Sequence, residues 1–342
     1  MKVVVLTGGT SSERDVALAS GLQVARALRE RRHTVSIVDL ASGFVAPAHE
    51  DALLPGGVGK APPPLERLRE LERGMLGSGL GEIPAVRRAD VIFLGLHGGR
   101  GEDGTVQAIL DLFGIPYTGS GHLASALAMD KDLSKRVVRD HGIPSAAWLM
   151  APVTGARVKA AVGYPCIVKP SKQGSSVGMS LVSRSRDLAT ALTVARRYDD
   201  EVMVERYIDG REFTVGILGD TALPVVEIRP KHKLFDYECK YTPGMAAELA
   251  PAPISRELSV TLQDAALRVH RALKLGGYSR IDFRADAAGE IFFLEANTLP
   301  GLTANSLIPK AARAAGLPFA MLCEKICRLA LRARGTKRRG RG

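Results

Sequence analysis

One stretch, residues 278–307, constrains the fold and the chemistry of this chain more than any other part of the sequence. Arg280 and Asp282 alternate with apolar residues, so we expect them on one face of a strand. A glycine turn separates that strand from a second apolar run, which ends in Glu295 and Asn297. If the strands pair, two carboxylates and an amide oxygen meet beside Arg280. Such oxygen ligands suit Mg²⁺ bound together with substrate phosphates. The alternative, a solvated hairpin face, fits poorly with the apolar run before Glu295.

Composition indicates a globular protein with more than one domain. The chain has 342 residues, of which 46% are hydrophobic and 24% are charged, and this is the range of ordinary folded domains. No apolar run approaches the roughly 20 residues of a transmembrane helix. The first residues, MKVVVLTGG, predict a strand and a glycine turn rather than a signal peptide. We therefore expect a cytoplasmic protein without a membrane span.

The cysteines and the basic end of the chain carry less information. The four cysteines are scattered, and Cys323 and Cys327 are four residues apart without a second ligand pair nearby, so we expect buried or half-buried thiols rather than zinc or a disulfide. Six of the basic residues lie in 332–342, and removing their charge lowers the net charge from +11 to +5. This glycine-containing segment predicts a disordered basic tail, which could touch nucleic acid or an anionic membrane or could be only a soluble end.

The N-terminal pattern predicts an α/β unit, with strands at 3–6 and 35–40 and a helix over 16–28. The intervening turn lacks the G-x-G-x-x-G spacing of dinucleotide-binding folds. Helix capping would explain a serine in this turn but not the adjacent Glu13 and Arg14.

Residues 42–88 form a loop-rich predicted insertion with an amphipathic helix over 65–76 and no readable chemistry. A third strand over 89–96 then leads into a glycine-rich loop that carries His97 and Glu102. Open α/β sheets bind ligands at such strand ends. These two residues therefore belong either to a substrate loop or to the structural core.

The middle of the chain predicts a phosphate-binding loop and a lid. A helix over 124–140 carries Lys131 and Lys135, either of which could be surface charge. A strand ends at Lys169 and continues into a Gly/Ser loop whose backbone N–H groups could close over phosphates. The strand that ends at Glu205 could carry an adenine pocket. The long polar segment 229–253 predicts a lid over a ligand.

In this order, the motifs resemble those of the D-alanine–D-alanine ligase family of the ATP-grasp superfamily. The resemblance covers about residues 1–330, apart from the insertion and the basic tail. It rests on the segments GGTSSERDVALASG, HGGRGEDGTVQ, GIPYTGSG, MDKDLSK, IVKPSKQGSSVGMS, VERYIDGREFTV, YECKY, SRIDF and LEANTLPGLTANSL.

The resemblance implies a three-domain ATP-grasp fold of the α/β class. An N-terminal parallel α/β domain (1–120) precedes a central (121–205) and a C-terminal (206–331) α+β domain, which sandwich ATP between them, and 332–342 form the tail. The implied partners are D-alanine and a second copy of the chain, since the family is commonly homodimeric.

The resemblance also assigns the ATP and metal site. The family's ligands for two Mg²⁺ (or Mn²⁺) ions on the ATP phosphates are matched here by Asp282, Glu295 and Asn297. The residues that match phosphate contacts are Lys131, Lys169 and the lid lysine Lys240. Those that match adenine and ribose contacts are Glu205, Arg206, Ile208 and Glu212.

On the amino-acid side, Glu13 matches the acid that pairs with the ammonium of the first D-alanine, and His97 lies against the same substrate. The remaining matches are Arg280 and the N–H of Gly301 for the oxyanion, Ser306 and Leu307 for the second carboxylate, and Ser175, Tyr241 and Glu13 as a hydrogen-bonded set that closes the lid.

The implied reaction is ATP-dependent ligation of two D-alanines through an acyl phosphate, which releases ADP and phosphate and supplies peptidoglycan synthesis. Tyr241 favours an amide product, because relatives that make the D-alanyl-D-lactate ester carry phenylalanine there. The alternatives are D-serine or D-lactate as the acceptor, an ATP-grasp ligase of a secondary pathway, and a non-catalytic regulator that binds nucleotide or nucleic acid.

Overall fold

The computed structural model describes residues 1–242 and 244–339 of the chain. In this part the strands form three sheets, with helices packed against them, so the predicted α/β class is confirmed. No helix in the described residues is long and apolar enough to cross a membrane.

The N-terminal sheet has the strand order β3-β2-β1-β4. Strand β1 is parallel to both β2 and β4, and among the described strands of this sheet only β3 is antiparallel to its neighbour. These strands are β1 (Lys2–Thr7), β2 (Thr34–Asp39), β3 (Gly43–Val45) and β4 (Val91–Leu94). The helices of this region are α1 (Arg14–Glu30), α2 (Leu65–Arg73), α3 (Pro84–Arg87), α4 (Gly99–Glu102) and α5 (Thr105–Phe113).

The next two helices come from one continuous predicted helix. The structure has α6 (His122–Met129) and α7 (Lys131–Asp140), separated at Asp130. Asp130 is the N-cap of α7, because its carboxylate accepts hydrogen bonds from the backbone N–H groups of Asp132 and Leu133 at 3.0 Å each. The apolar periodicity runs through this break, which is why the sequence pattern did not reveal it.

The central sheet is antiparallel and has the order β5-β8-β6-β7. Its elements are β5 (Trp148–Met150), α8 (Gly155–Ala161), β6 (Cys166–Pro170), β7 (Ser180–Val182), α9 (Leu188–Ala195) and β8 (Val202–Arg206). It has its own apolar core, in which Val158, Cys166 and Val204 are fully buried.

The C-terminal sheet has the order β12-β11-β9-β13-β14, with β10 paired to β9. Its strands are β9 (Arg211–Leu218), β10 (Thr221–Ala222), β11 (Val226–Pro230), β12 (Ala246–Leu249), β13 (Tyr278–Ala285) and β14 (Ile291–Asn297). The helices are α10 (Tyr237–Tyr241), α11 (Arg256–Ala272), α12 (Leu307–Ala314) and α13 (Phe319–Arg339).

The two strands predicted from residues 278–307 do pair. In the antiparallel β13–β14 ladder, Asp282 lies opposite Glu295 and Arg280 lies opposite Asn297. The alternating apolar residues, among them Phe283, point to the other face of the sheet and are buried there. The ladder shifts register between Asp282 and Phe283, which lies opposite Phe293, and this irregularity lets Glu295 share the polar face although Phe293, two residues earlier, is buried in the core.

The predicted domain boundaries do not follow the packing everywhere. Helices α6 and α7 lie in the predicted central domain but contact β14, and their buried Ala128 and Val138 share a core with Phe283. The sequence pattern marks the apolar face of a helix but does not identify the sheet that covers it.

Helix α13 packs on α1 and β4 of the N-terminal region, with Cys323, Ile326 and Cys327 fully buried. All four cysteines lie in the described residues and are free and buried, as predicted. The helix continues to Arg339, so for 332–339 the structure differs from the predicted disordered tail. Arginine and lysine favour helix, and extending an existing helix avoids the cost of nucleation. The last part of the predicted tail, 340–342, lies outside the described residues.

The buried face of α13 gives a test of this packing. Ile326 is 0% exposed, so Ile326→Ala should destabilise the protein by about 2–5 kcal/mol through the cavity that it leaves. Met321, on the same helix, is 45% exposed, and Met321→Ala should change stability by only about 0.5 kcal/mol. The midpoints of chemical unfolding would measure both, and equal losses would show that α13 is not anchored by this face.

Candidate active site

Each residue that the sequence analysis assigned to the site lines one of two cavities. The first cavity is lined by Lys131, Lys169, Glu205, Arg206, Ile208, Glu212, Asp282 and Glu295. The second is lined by Glu13, His97, Ser175, Tyr241, Asn297, Gly301, Ser306 and Leu307. Lys240 and Arg280 line both. The two cavities therefore meet at a lid lysine and a strand arginine.

Asp282 is the centre of the polar face of β13. Arg280 holds it with two hydrogen bonds, from Nε to Oδ1 (2.9 Å) and from Nη2 to Oδ2 (2.8 Å). Thr214 donates to Oδ1 (2.6 Å), and Asn297 donates from Nδ2 to Oδ2 (3.0 Å). These contacts fix the carboxylate and also orient Asn297. Its amide nitrogen donates to Asp282, so its amide oxygen is left to bind a metal ion. Two carboxylates and an amide oxygen on one face form a donor set that fits Mg²⁺.

Glu295 lies in a cationic environment. Its Oε2 is 3.2 Å from Nζ of Lys131, which also donates to the carbonyl oxygen of Gln173 at 2.7 Å. Burial acts to raise the pKa of Glu295, but Lys131, Lys240 and Lys169 outweigh it and hold the pKa far below its usual value. The carboxylate is therefore ionised at neutral pH, as a metal ligand must be.

Glu205 lies between two lysines. Lys169 donates to Oε2 at 2.6 Å, and Nζ of Lys135 is 2.5 Å from Oε1. Burial acts to raise the pKa of Glu205, but the two ammonium groups outweigh it, so the pKa lies below its usual value. Within the described residues, Oε1 has the ion pair but no hydrogen-bond donor. A buried acceptor of this kind in a cavity fits the amino group of a bound base.

Lys135 is a buried partner of Glu205, a contact that the sequence analysis did not predict. Its side chain is fully buried rather than on the surface, and it donates to the carbonyl oxygen of Phe293 at 2.9 Å. It lies four residues after Lys131 on α7, a spacing that puts both ammonium groups on one helix face. That spacing was the available signal, because Lys131 was already assigned to the site.

The far end of the first cavity is organised by Arg284, which was also missed. Arg284 follows Arg280 and Asp282 on the same strand face, so strand alternation was the available signal. Its Nη1 donates to the carbonyl oxygen of Ile208 (2.7 Å), and its Nη2 lies 3.4 Å from Oε2 of Glu212. Burial raises the pKa of Glu212 despite this contact.

Arg206 lines the first cavity together with Ile208, so its contact with the base stays a prediction. Its Nε donates to the carbonyl oxygen of Val162 at 3.1 Å, and its side chain is exposed. The guanidinium is therefore bonded to the central sheet region rather than to a residue of the first cavity.

In the second cavity, three residues from distant parts of the chain form a hydrogen-bonded cluster. Ser175 Oγ donates to Oε1 of Glu13 and is 2.7 Å from the hydroxyl of Tyr241. The Tyr241 hydroxyl also lies 3.3 Å from Oε1 of Glu13. Burial and the charge of Glu13 raise the pKa of Tyr241 well above its usual value, so the phenol keeps its proton and can donate. The cluster joins the start of α1, the Gly/Ser loop and the lid helix α10.

His97 lines the second cavity, but both of its ring nitrogens are already used. Nδ1 is 2.7 Å from the carbonyl oxygen of Leu299, so it carries the proton, and Nε2 accepts from the hydroxyl of Ser20 at 2.9 Å. Burial lowers the pKa of the ring more than Glu13 raises it, which favours the neutral form. Any contact of His97 with a substrate would therefore be through ring carbon atoms, and its hydrogen bonds hold the loop after β14.

Glu102 also holds the loop after β14. It accepts hydrogen bonds from the backbone N–H groups of Gly98 (3.0 Å), Thr298 (3.0 Å) and Leu299 (2.9 Å). This acid was placed in the same predicted loop as His97, as either a substrate or a core residue. Its contacts make it a structural anchor at the edge of the second cavity.

The end of the second cavity lies at the start of α12. Ser306 precedes the helix, and its Oγ accepts from the backbone N–H of Thr303 at 3.1 Å. Leu307 is the first helical residue. A side chain at Gly301 would come within 3.2 Å of Ser306 Oγ, so the glycine leaves room at this turn. The open N–H groups at the start of the helix can bind a carboxylate.

The segment between β11 and β12 carries the lid lysine. Within it, α10 is capped by Asp236, which accepts from the backbone N–H of Cys239 at 2.9 Å. Nζ of Lys240 lies 5.3 Å from the centre of the Phe235 ring, and both residues line both cavities. The segment therefore covers the two cavities together, as expected for a lid.

Comparisons with known proteins agree over nearly the whole chain. Family models described as the D-ala D-ala ligase N-terminus and C-terminus match residues 2–120 and 137–328. A D-alanine–D-alanine ligase of Geobacter sulfurreducens is 42% identical over 328 residues, which make up 95% of this chain and 92% of that protein.

Solved structures give the same result. The D-alanine–D-alanine ligase of Bacillus anthracis complexed with ATP is 29% identical, with a TM-score of 0.76 and coverage of 98% of both chains. The VanG D-Ala:D-Ser ligase of Enterococcus faecalis is 29% identical, with a TM-score of 0.79 and coverage of 96% of this chain and 98% of that one.

The buried Lys135, which holds Glu205 at the wall of the first cavity, gives a test of the site geometry. Lys135→Met removes one partner of buried Glu205, which should cost about 3–5 kcal/mol of stability and weaken nucleotide binding in the same cavity. The neighbouring Arg136 has a 55% exposed side chain paired with Asp132, so Arg136→Met should cost less than about 1 kcal/mol. Thermal unfolding and calorimetric titration with ATP would measure both effects. Equal behaviour of the two variants would contradict the role of Lys135.

Proposed function

This chain belongs to the D-alanine–D-alanine ligase family, and from that premise we propose that it joins two D-alanines at the expense of ATP. The products are D-alanyl-D-alanine, ADP and phosphate, and the dipeptide serves peptidoglycan synthesis. The observation that best supports this proposal is that the first cavity, which contains several lysines, meets the second at Lys240 and Arg280. That arrangement brings a nucleotide phosphate next to an amino-acid site.

The first cavity suits ATP. Lys131 and Lys169 are point charges for the phosphates, and Oε1 of Glu205, which is ion-paired with Lys135, is the acceptor for the adenine amino group. Glu212 is the acceptor for the ribose hydroxyls, and Arg284 holds it in place.

Asp282, Glu295 and Asn297 would hold two Mg²⁺ (or Mn²⁺) ions. Bound there, the ions would neutralise charge on the phosphates during transfer. Arg280 and Thr214 donate hydrogen bonds to Asp282 and so orient it. Residues that bind a metal ligand in this way usually fix its position.

The reaction has two steps. The carboxylate of the first D-alanine, whose ammonium pairs with Glu13, attacks the γ-phosphorus and releases ADP. The amine of the second D-alanine then attacks the acyl carbon of the resulting acyl phosphate, and phosphate leaves. Arg280 and the N–H of Gly301 stabilise the oxyanion formed in this step, a contribution typically of about 3–4 kcal/mol. The lid with Lys240 keeps water from the acyl phosphate.

On the acceptor side, the start of α12 with Ser306 and Leu307 binds the carboxylate of the second D-alanine. Tyr241, joined to Ser175 and Glu13, supports the amide product and a closed lid. The family comparisons do not favour D-serine or D-lactate as the acceptor.

We further propose a cytoplasmic location, because the reaction consumes ATP, and a homodimer. Exposed apolar side chains at Leu112, Phe113 and Leu123, between 44% and 87% exposed, suit a contact between two copies.

A product assay tests the function directly. The protein is incubated with ATP, Mg²⁺ and D-alanine, alone or with D-serine or D-lactate, and the products are identified by mass spectrometry. We expect D-alanyl-D-alanine as the main product, with one ADP and one phosphate for each dipeptide. A poor yield of this dipeptide beside a good yield with another acceptor would overturn the choice of D-alanine.

The metal site has a separate test. Glu295→Gln should lower turnover by roughly 100-fold or more, because it weakens the charge stabilisation that the ions supply, and higher Mg²⁺ should restore part of it. The control is Glu290→Gln, an exposed acid in the turn before β14. Phosphate release at a series of Mg²⁺ concentrations measures the effect. Near-normal release by Glu295→Gln at low Mg²⁺ would refute the metal assignment.

A further inference from the structure

One charged pair in the second cavity has no part in the two steps of the proposed reaction. Lys310 and Glu248 line this cavity together with Ser306 and Leu307. Nζ of Lys310 donates to Oε2 of Glu248 at 2.5 Å, and the side chains are 30% and 13% exposed. The pair is therefore half-buried at the wall where the acceptor amino acid is expected.

The position of Lys310 follows from helix geometry. It lies four residues after Ser306, at the end of the first turn of α12, and its backbone N–H donates to the carbonyl oxygen of Ser306 at 3.0 Å. Lys310 and Ser306 line the same cavity, with Ser306 as the N-cap of the helix. The carboxylate expected at the start of α12 is thus close to an ammonium group as well as to the helix N–H groups.

Glu248 holds that ammonium from a rigid element. It lies in β12, opposite Ile228 of β11, so the sheet fixes its backbone. A lysine ammonium has three N–H donors. In the described part of the chain, the hydrogen bond found for Lys310 Nζ is the one to Glu248. Donors therefore remain for a ligand in the cavity.

We propose that Lys310 is a further binding residue for the carboxylate of the acceptor amino acid, and that Glu248 is the residue that positions it. This inference rests on the proposed function. An ammonium beside the helix N-terminus selects acceptors that carry a carboxylate and disfavours neutral analogues of the same shape. Lys310 would therefore set part of the specificity of the second step without touching the first.

The test compares two acceptors that differ in the carboxylate. D-Alaninamide lacks a carboxylate, so it cannot be phosphorylated and can act only as an acceptor for the acyl phosphate made from D-alanine. For Lys310→Met, the KM of D-alanine as acceptor should rise by about tenfold or more, as expected for a lost hydrogen bond to a charged group. The KM of D-alaninamide should stay within about twofold.

Two further variants make the test specific. Lys310→Arg keeps the charge and should stay within about threefold of the unmodified protein for D-alanine, since arginine also binds carboxylates. Glu248→Gln should change the D-alanine value in the same direction as Lys310→Met, but less. Arg229→Met, which removes a pair with Glu227 on neighbouring β11 outside the cavity, is the matched control and should leave both acceptors unchanged.

The first step is measured separately with hydroxylamine. Its nitrogen attacks the acyl carbon of the acyl phosphate, phosphate leaves, and D-alanine hydroxamate forms. Hydroxamate formation should be the same in all variants, and thermal unfolding should show that they are folded. Equal weakening of both acceptors, an unchanged KM for D-alanine, or a loss of hydroxamate would each overturn the role of Lys310. Absence of both hydroxamate and dipeptide with the unmodified protein would instead overturn the proposed function.

Discussion

The register of the β13–β14 ladder is the constraint on which the rest of the site depends. Asp282 opposite Glu295 and Arg280 opposite Asn297 put the polar side chains on one face, while Phe283 and its neighbours fill a core on the other. A slip of one residue would exchange the two faces and bury charge in that core, so the apolar packing itself specifies the polar face. The aromatic core beneath the sheet and the polar face above it thus follow from the alternation on β13 and from the register shift after Asp282, which puts Phe293 and Glu295 on opposite faces of β14.

Charge balance is the second constraint, and it explains how so many ionisable groups can lie in one place. Glu205 is held by Lys135 and Lys169, Glu295 by Lys131, and Asp282 by Arg280, so each of these three acids has a cation beside it. Burying one of these groups alone would cost several kcal/mol. The pairs also leave the cations in position for phosphates, because an ammonium group has donors beyond the one given to its carboxylate. The same contacts therefore serve stability before nucleotide binds and recognition when it does.

Much of this arrangement was predictable from the sequence, and the failures have physical reasons. Strand alternation placed Arg280 with Asp282 and Glu295 with Asn297, and the order of motifs identified the family, but the register shift that brings the two pairs to one face was not visible in the pattern. The alternation on β13 also predicts Arg284 on the polar face, and the four-residue spacing on α7 predicts Lys135 beside Lys131. Both residues were overlooked. By contrast, nothing local shows that both nitrogens of His97 are engaged, because their partners Ser20 and Leu299 are distant in sequence. The packing of α6 and α7 on β14, and the continuation of α13 beyond residue 331, likewise depend on tertiary contacts and on helix propagation rather than on a local pattern.

The choice of acceptor is a different kind of problem from the fold. A D-Ala:D-Ser ligase shares this architecture with a TM-score of 0.79, so the arrangement of sheets and lid does not by itself select the second amino acid. Selection must come from the few side chains at the start of α12 and on the lid that contact the acceptor. A carboxylate is common to D-alanine, D-serine and D-lactate, so a cation such as Lys310 can favour the whole class but cannot separate its members. Discrimination among them has to come from groups that meet the amine or hydroxyl and the side chain, and we propose Tyr241, bonded to Ser175 and Glu13 in the second cavity, as one such group.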